Sequence, residues 1–275
     1  MTLRLAARCL AAVALAVAAP APARAAEVCQ YTGAASYDAH ATVRTDVAEA
    51  GGLTTVAVTL RFDAKPSWLL SLGYLAEEIS TWRGGELQSV AVNNRYGVNG
   101  RIKRQQWDVL TRTQAGLIGE RVQSTTAAEF GRRHPAFARH WDTSDFGRPW
   151  LGEYAAARPE RRTDLDLPAA GLSPGLRTPL ALAFYWSRYL PPGGGVVPMF
   201  LPGWKRDARV DEAVAPAAPG VWRMALRHAA LSTRRASWAD AQVSADHRLL
   251  RLTFDIAAAS GHGQGWFALD SCTLR

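Results

Sequence analysis

Apolar and polar residues alternate along much of the chain, and this period of two predicts antiparallel β-structure. Residues 37–47 and 55–62 each have one apolar and one polar side. The apolar positions are Tyr37, Ala39, Ala41, Val43 and Val47 in the first segment and Val56, Val58, Leu60 and Phe62 in the second. A strand with one dry face has this pattern. Because Gly51-Gly52 separates the segments, we predict that they form a hairpin.

Similar segments continue towards the end of the chain and predict a mostly β protein. After a short apolar stretch at Trp68–Leu72, they cover residues 74–82, 87–94, 101–112, 180–189, 206–213, 221–231, 237–244, 249–256 and 266–274. Asn99-Gly100 is a strong hairpin signal, because both residues tolerate positive φ. About ten short strands with glycine-rich turns favour an antiparallel meander that forms a barrel or a strongly curved sheet.

The middle of the chain departs from this pattern. Thr126–Glu129 fits a helix capping box, and Pro135 can open a second short helix that runs to Trp141. Residues 142–179 are rich in proline, glycine and charge, and they show no sustained periodicity. We therefore predict a helical and irregular insertion over residues 126–178. The insertion would belong to a single β-barrel-like domain that spans residues 26–275.

The N-terminal residues 1–25 have the features of a secretion signal. Arg4 and Arg8 precede the apolar run Leu10–Ala19, and Ala23 and Ala25 place small residues before a cleavage site. The apolar run is shorter than the roughly 20 residues that a membrane-spanning helix needs. We expect cleavage near Ala25, no membrane-spanning segment after it, and a periplasmic or secreted bacterial protein.

Two cysteines remain once Cys9 has left with the signal. In an exported chain, Cys29 and Cys272 are expected to form a disulfide. Because Cys29 stands just before the first alternating segment and Cys272 lies in the last, the bridge would join the first and last strands. Such a joint would close a barrel.

The charge of the chain does not indicate a nucleic-acid partner. Loss of Arg4, Arg8 and Arg24 with the signal lowers the formal net charge from +8 to +5. The remaining basic residues are spread along the chain, whereas a nucleic-acid interface gathers them on one face. We expect a monomer without a nucleic-acid partner.

Three segments resemble a known class of proteins. Trp82–Leu87, Ala236–Val243 and Leu249–Phe254 are similar to strands and turns of secreted bacterial β-barrel proteins of uncharacterised function. The resemblance covers about two thirds of the chain after the signal. It implies a curved antiparallel sheet in the cell envelope, and it carries over no catalytic residue.

Two glycine motifs match catalytic or cofactor signatures without their structural context. Gly171–Gly175 satisfies G-x-S-x-G, but Pro174 has no N–H for an oxyanion hole and disfavours a helical Ser173. Gly261–Gly265 is followed by a strand pattern and not by the helix that a dinucleotide site requires. We therefore interpret both motifs as turns and expect no cofactor.

Metal-assisted hydrolysis is the alternative function. His134, His140 and Asp142 offer imidazole and carboxylate ligands for zinc or a similar ion, within the predicted insertion. The spacing of the two histidines does not place them on one face of a helix, so our main interpretation includes no metal site. Glu77 and Glu78 are also an unsuitable catalytic pair, because neighbouring strand residues point to opposite faces.

Residues 101–110 form a predicted strand that is polar on both sides. Arg101, Lys103 and Gln105 would share one face with Trp107, and Arg104, Gln106 and Asp108 would lie on the other. Such a strand is either an exposed edge or the wall of a wet cavity, because an apolar core would leave polar groups unpaired. The edge is the simpler interpretation, and it also allows a protein-interaction module without a ligand.

The cavity interpretation provides our candidate site. Curved sheets and small barrels bind ligands at aromatic walls that carry a few fixed polar groups. The candidate residues are Trp82, Arg104, Gln106, Trp107 and Asp108. We therefore predict an exported, non-enzymatic ligand-binding or accessory protein that holds an amphiphilic or anionic small molecule.

Overall fold

A computed structural model of the chain shows a mostly β protein, whose described part also includes a short helix and a 3-10 helix. It describes residues 24–36, 38–99, 101–123, 132–133, 135, 161–169, 172, 175–200, 209–227, 237–258 and 261–274. The first strands are β1 (Arg24–Ala35), β2 (Ala39–Ala50), β3 (Leu53–Ser67), β4 (Leu70–Arg83), β5 (Glu86–Val98), β6 (Arg101–Thr113), β7 (Gly116–Gln123) and β8 (Arg161–Pro168). Helix α1 (Pro179–Phe184) and a 3-10 helix (Trp186–Tyr189) follow. The remaining strands are β9 (Gly195–Phe200), β10 (Arg209–Ala218), β11 (Val221–Arg227), β12 (Ser237–Val243), β13 (Leu249–Ala258) and β14 (Gly261–Leu274).

All the described strands belong to one antiparallel sheet, which confirms the predicted fold class. The sheet contains fourteen strands in the order β8-β7-β6-β5-β4-β3-β2-β1-β14-β13-β12-β11-β10-β9, more than the ten expected. Most neighbours in the sheet are also neighbours in sequence, as in a meander. The exception is β1, which pairs with both β2 and β14.

The pairing of β1 with β14 changes the interpretation of closure. Cys29 lies opposite Cys272, and the two form the predicted disulfide. The first and last strands are therefore joined, as expected. However, this joint lies in the middle of the strand order, and the ends of the sheet are β8 and β9. The expectation that the disulfide closes a barrel is wrong, because the bridge joins β1 to β14 in the interior of the sheet. We call this pair of strands the seam.

The alternating pattern of the first hairpin separates two faces of the sheet. Val43 lies opposite Leu60, and Leu60 lies opposite Ala76, so these apolar positions share what we call the inner face. The main core covers this face and also includes Ala181, Leu182 and Phe184 of α1. A smaller core lies on the opposite, outer face, where it contains Ile79, Ala91, Trp107, Val109 and Val122.

Residues 180–189 form helices, so the strand predicted there is wrong. Thr178 keeps an extended backbone, and Pro179 begins α1. Phe184 packs against the rings of Tyr31 and Phe267, each with centroids 5.5 Å away. The run Leu180–Trp186 is apolar at every position. Without alternation, its pattern could not distinguish a strand from a buried helix. The proline at the first helical position was the more informative signal.

The predicted irregular insertion contributes a strand to the sheet. Residues 161–168 form β8, with Leu165 opposite Gly119 and Leu167 opposite Leu117. The irregular prediction is therefore wrong for these eight residues. Their Leu-Asp-Leu alternation is short and bounded by charge and proline, which concealed the strand. The capping box at Thr126–Glu129 lies outside the described residues.

A short segment before α1 lies along the edge of β9. The N–H of Arg177 donates to the carbonyl of Pro198, and the N–H of Phe200 donates to the carbonyl of Arg177, both at 2.8 Å. These bonds form a parallel bridge between Arg177 and Met199. The segment therefore satisfies backbone groups of this terminal strand. Among the described helices, none has the length and apolar character needed to span a membrane.

Candidate functional site

Strand β6, which carries most of the predicted site, lies inside the sheet. It pairs with β5 on one side and with β7 on the other. Residues 105–110 are buried, although Gln105, Gln106 and Asp108 are polar. The interpretation of this strand as an exposed edge is therefore wrong. Polar partners within β6 and on β7 explain how Gln106 and Asp108 can be buried here.

A polar cluster occupies the inner face of β6 and β7. Asp108 is opposite Arg121, whose Nε and Nη2 atoms donate to the two carboxylate oxygens at 2.8 and 3.1 Å. Gln106 Nε2 donates to Asp108 Oδ1 at 3.2 Å, and Gln123 Nε2 donates to Gln106 Oε1 at 3.1 Å. A bidentate arginine and an amide therefore compensate the burial of this carboxylate. These side chains bind one another, which favours a structural role.

The five predicted ligand-binding residues do not meet in one cavity. Trp82 belongs to the main core on the inner face, the face on which Gln106 and Asp108 lie. Trp107 belongs to the smaller core on the outer face. The sheet therefore separates Trp107 from the other aromatic residue. Arg104 lies in β6 opposite Tyr96, and its side chain is outside the described part.

Trp82 contributes to an aromatic site that holds an arginine. The guanidinium carbon of Arg177 lies 5.0 Å from the ring centroid of Trp82 and 4.0 Å from that of Trp186. Its Nη1 donates to the carbonyl of Gly85 at 2.8 Å. Burial lowers the pKa of Arg177 to about 10, so the guanidinium stays charged at neutral pH. The two indoles therefore bind a side chain of this protein through cation–π contacts.

Glu78 anchors the beginning of α1 to the inner face. Its carboxylate accepts hydrogen bonds from the hydroxyl of Thr178 and from the N–H groups of Leu180 and Ala181, the latter two at 3.2 and 2.9 Å. Burial raises the pKa of Glu78 to about 6, although these bonds oppose the shift. Glu77 points to the outer face and accepts a bond from Asn93 Nδ2 at 2.7 Å. Adjacent strand positions thus separate the two carboxylates, as predicted.

A second ion pair lies beside the disulfide. Arg188 Nη1 donates to Glu27 Oε1 at 2.6 Å, and Arg188 Nη2 lies 3.9 Å from the sulfur of Cys29. Burial alone would lower the pKa of Arg188, but its interactions with Tyr31 and Glu27 outweigh burial and raise it. The 3-10 helix is therefore fixed to the seam between β1 and β14 by charge as well as by packing.

No separate metal centre is visible in the described part of the chain. The group of three potential ligands that it contains is Glu27, Cys29 and Cys272, with ligand atoms within 4.8 Å of one another. Both sulfurs of that group form the disulfide. His134, His140 and Asp142 lie outside the described residues, so the alternative metal site stays a prediction.

A groove on the outer face of β1–β4 is a candidate for binding a small molecule within the described part of the chain. Its volume is about 320 Å³. The side chains that line it from the outer face are Gln30, Thr32, Thr42, Arg44, Asp46, Ala57, Thr59, Arg61, Leu75, Glu77 and Asp270. None of these residues belongs to the site predicted from the sequence. The alternation of β2 and β3 had assigned Thr42, Arg44 and Asp46 to a polar, solvated face.

The groove combines a buried part, which contains one apolar side chain and one carboxylate, with a charged, accessible part. Leu75 and Glu77 are buried at its base, while the side chains of Arg44, Asp46 and Arg61 keep between 38 and 45% of their exposure. Arg44 Nη2 lies 3.6 Å from Asp46 Oδ2. At the β1 side of the groove, the hydroxyl of Thr32 donates to Asp270 Oδ1 at 2.9 Å. The accessible part thus offers cationic, anionic and hydroxyl groups above an apolar contact.

Comparisons with known proteins support the fold. The chain matches no protein-family model, and no curated protein matches it in sequence. A crystal structure of a β-barrel-like protein from Brucella abortus, described as a domain of unknown function, DUF1849, is similar to it in fold. The TM-score is 0.53 with 8% sequence identity, and the match covers 92% of this chain and 98% of that one. The predicted resemblance to an uncharacterised β-barrel protein is therefore confirmed at the level of fold.

Proposed function

We propose that the protein is an exported, non-enzymatic envelope protein that binds an amphiphilic small molecule in the groove on β1–β4. The observation that carries this proposal is the groove itself, in which buried Leu75 lies beneath the accessible charges of Arg44, Asp46 and Arg61. Its volume of about 320 Å³ is near the lower end of the range for small-molecule sites, about 300 to 1,000 Å³. A ligand with a short apolar part and a polar head fits this arrangement.

The charges of the groove favour a ligand with both polar and apolar parts over a purely anionic one. Arg44 and Arg61 can attract an anionic group, but the carboxylates of Asp46, Glu77 and Asp270 line the same groove. A simple anion would meet repulsion from these three carboxylates as well as attraction. A head group with hydroxyl or amine donors next to an anionic oxygen would use both kinds of partner.

Export is supported by two independent features. Residues 1–25 have the basic start, apolar run and small residues of a secretion signal. The disulfide between Cys29 and Cys272 fits an oxidising compartment, such as the periplasm or the exterior of the cell. N-terminal sequencing of the periplasmic protein tests the proposal. A chain that begins at Ala26 supports it, and an intact chain retained in the cytoplasm contradicts it.

Native mass spectrometry of periplasmic protein tests ligand binding. We expect a small molecule to remain bound to the native protein. A Thr42→Trp substitution places a large ring on the accessible wall of the groove and should remove the bound molecule. Thr111→Trp is a matched control, because Thr111 is also an exposed strand residue but does not line the groove. Binding that survives Thr42→Trp would place the ligand elsewhere, and a wild-type protein without any ligand would overturn the binding proposal.

A further inference from the structure

The turn between β3 and β4 exposes apolar residues that belong to neither of the two hydrophobic cores. Trp68 retains 92% of its exposure and Leu69 retains 64%, and Leu70 next to them is also exposed. By contrast, Trp82 and Trp107 are fully buried. Scattered exposed apolar residues are normal, but three consecutive ones at the tip of a hairpin form a local apolar surface. We call residues 67–70 the hairpin tip.

The neighbouring turn holds the hairpin tip in place. Asn99 Oδ1 accepts a hydrogen bond from the N–H of Ser71 at 2.8 Å, and Asn99 Nδ2 donates to the carbonyl of Leu69 at 3.1 Å. The N–H of Asn99 also donates to the carbonyl of Ser71 at 2.8 Å. Asn99 has a positive φ of 49°, which asparagine tolerates better than most residues. The tip is therefore ordered before it meets a partner, and little conformational entropy would be lost on binding.

The same end of the sheet has an excess of positive charge. Lys65 is exposed near the end of β3, and Arg101 and Lys103 begin β6 directly after the turn at Asn99. Residues 64–76 and 94–107 contain no aspartate or glutamate. The carboxylates nearest to them at this end are Asp63, which lies 3.3 Å from Arg61, and Asp38 in the turn before β2. The apolar tip thus projects from a part of the chain that is basic in sequence. This combination is complementary to a surface with an apolar interior and negative head groups.

We propose that the hairpin tip docks onto bilayers that contain acidic phospholipids, with Trp68 and Leu69 entering the interfacial region. Tryptophan is enriched at this depth of a membrane, because its ring is apolar and its N–H is polar. A tip of four residues buries much less area than the roughly 800 Å² per partner of a stable protein interface. A bilayer can receive such a narrow projection without matching its shape.

Vesicle co-sedimentation tests the docking proposal. Processed protein from the periplasm is mixed with vesicles of phosphatidylcholine, with or without phosphatidylglycerol. We expect binding to the acidic vesicles, weakened by salt and by Lys65→Gln. The double variant Trp68→Ser/Leu69→Ser should bind at least about tenfold more weakly. Val196→Ser/Leu274→Ser is the matched control, because it removes two exposed apolar side chains away from the tip. Val196 lies in the terminal strand β9, and Leu274 lies at the opposite end of the strands from the tip.

The outcomes distinguish docking from its alternatives. Equal vesicle binding by the tip variant, or no vesicle binding by the wild-type protein, would overturn the proposal. So would cross-linking of the tip to an envelope protein when no vesicle binding occurs, since that result identifies a protein partner. Urea unfolding of each variant checks that the fold is retained. The Thr42→Trp variant should still bind vesicles, so failure of the groove proposal and failure of the docking proposal are separable.

Discussion

Glu78 is a buried carboxylate that links the sheet to the helix inside it. It lies on the inner face of β4, where Thr178, Leu180 and Ala181 donate to it. Three donors reduce the cost of burying the charge, but the pKa near 6 shows that they do not remove it. At neutral pH the ionised group is therefore held in place at some expense of stability. Its protonation state should affect unfolding more than that of an exposed carboxylate.

We predict that Glu78 makes the protein less stable as the pH rises from about 4.5 to about 6. The folded chain holds this proton up to about pH 6, whereas the unfolded chain releases it near the ordinary value of 4.5. The folded state thus binds more protons in this window, so stability is lost as they leave. The difference corresponds to about 2 kcal/mol of unfolding free energy. Urea unfolding at several pH values measures it.

A Glu78→Gln variant should lack this part of the pH dependence. Subtracting the unfolding free energy of the variant from that of the wild type at each pH removes the contributions of other titrating groups. Glu86→Gln serves as the control, because its carboxylate is 53% exposed. An identical pH slope in wild type and Glu78→Gln would show that the buried carboxylate does not titrate in this window.

At the scale of elements, the segment before β9 packs on the inner face of the sheet. Phe184 of α1 is buried between Tyr31 of β1 and Phe267 of β14, and Arg188 of the 3-10 helix binds Glu27. These contacts place the helices over the seam between the first and last strands. The segment is therefore part of the core and does more than connect β8 to β9.

We predict that Phe184→Ala lowers the unfolding free energy by about 3 to 5 kcal/mol. The substitution removes a fully buried ring and leaves a cavity among the residues that surround it. Leu250→Ala is the control, because Leu250 is an exposed apolar residue of β13, and it should cost about 0.5 kcal/mol. Denaturant unfolding measures both variants. If the two losses were similar, the helix would not be an essential part of the core.

The elements also show what the sequence could predict. The hairpin of β2 and β3 was predicted because a strict alternation leaves only one way to bury Val43 and Val58. Strand β6 and its hairpin partner β5 were predicted as strands, but β7 was not, and the burial of Asp108 depends on Arg121 of β7. The groove was missed for a similar reason. Alternation identifies a polar face, but only the register of β1–β4 shows that this face contains a groove.

At the scale of the whole molecule, the pairing of β1 with β14 connects two groups of strands. Strands β2 to β8 extend from one side of this pair, and β13 to β9 extend from the other. The backbone register runs from Glu27 opposite Leu274 to Ala35 opposite Gly265, with an irregularity after Gln30. The disulfide lies within this register and fixes the contact between strands that are distant in sequence. The pairing of β1 with β14 therefore holds the two groups of strands in one sheet.

We predict that loss of the disulfide weakens the contact between β1 and β14 before it affects the rest of the sheet. The bridge closes a loop with a sequence separation of 243 residues, for which chain entropy gives a stabilisation on the order of 5 kcal/mol. Cys29→Ala/Cys272→Ala should lower the unfolding free energy by up to about this amount. Its stability should also no longer respond to reductant. In the unreduced processed wild type, an alkylating reagent should label neither thiol.

Hydrogen exchange distinguishes a disulfide that stabilises mainly the contact between β1 and β14 from one that stabilises the whole fold. Because the bridge lies between β1 and β14, reduction should raise amide exchange there before it does so at β4 and β5, which pair over twelve positions. Arg188 and Phe184 also contact β1, so the inner helices should lose protection together with the joint. A uniform rise throughout the sheet would indicate instead that the disulfide acts on the unfolded chain alone. Unchanged exchange after complete reduction would contradict its role in holding the two groups of strands together.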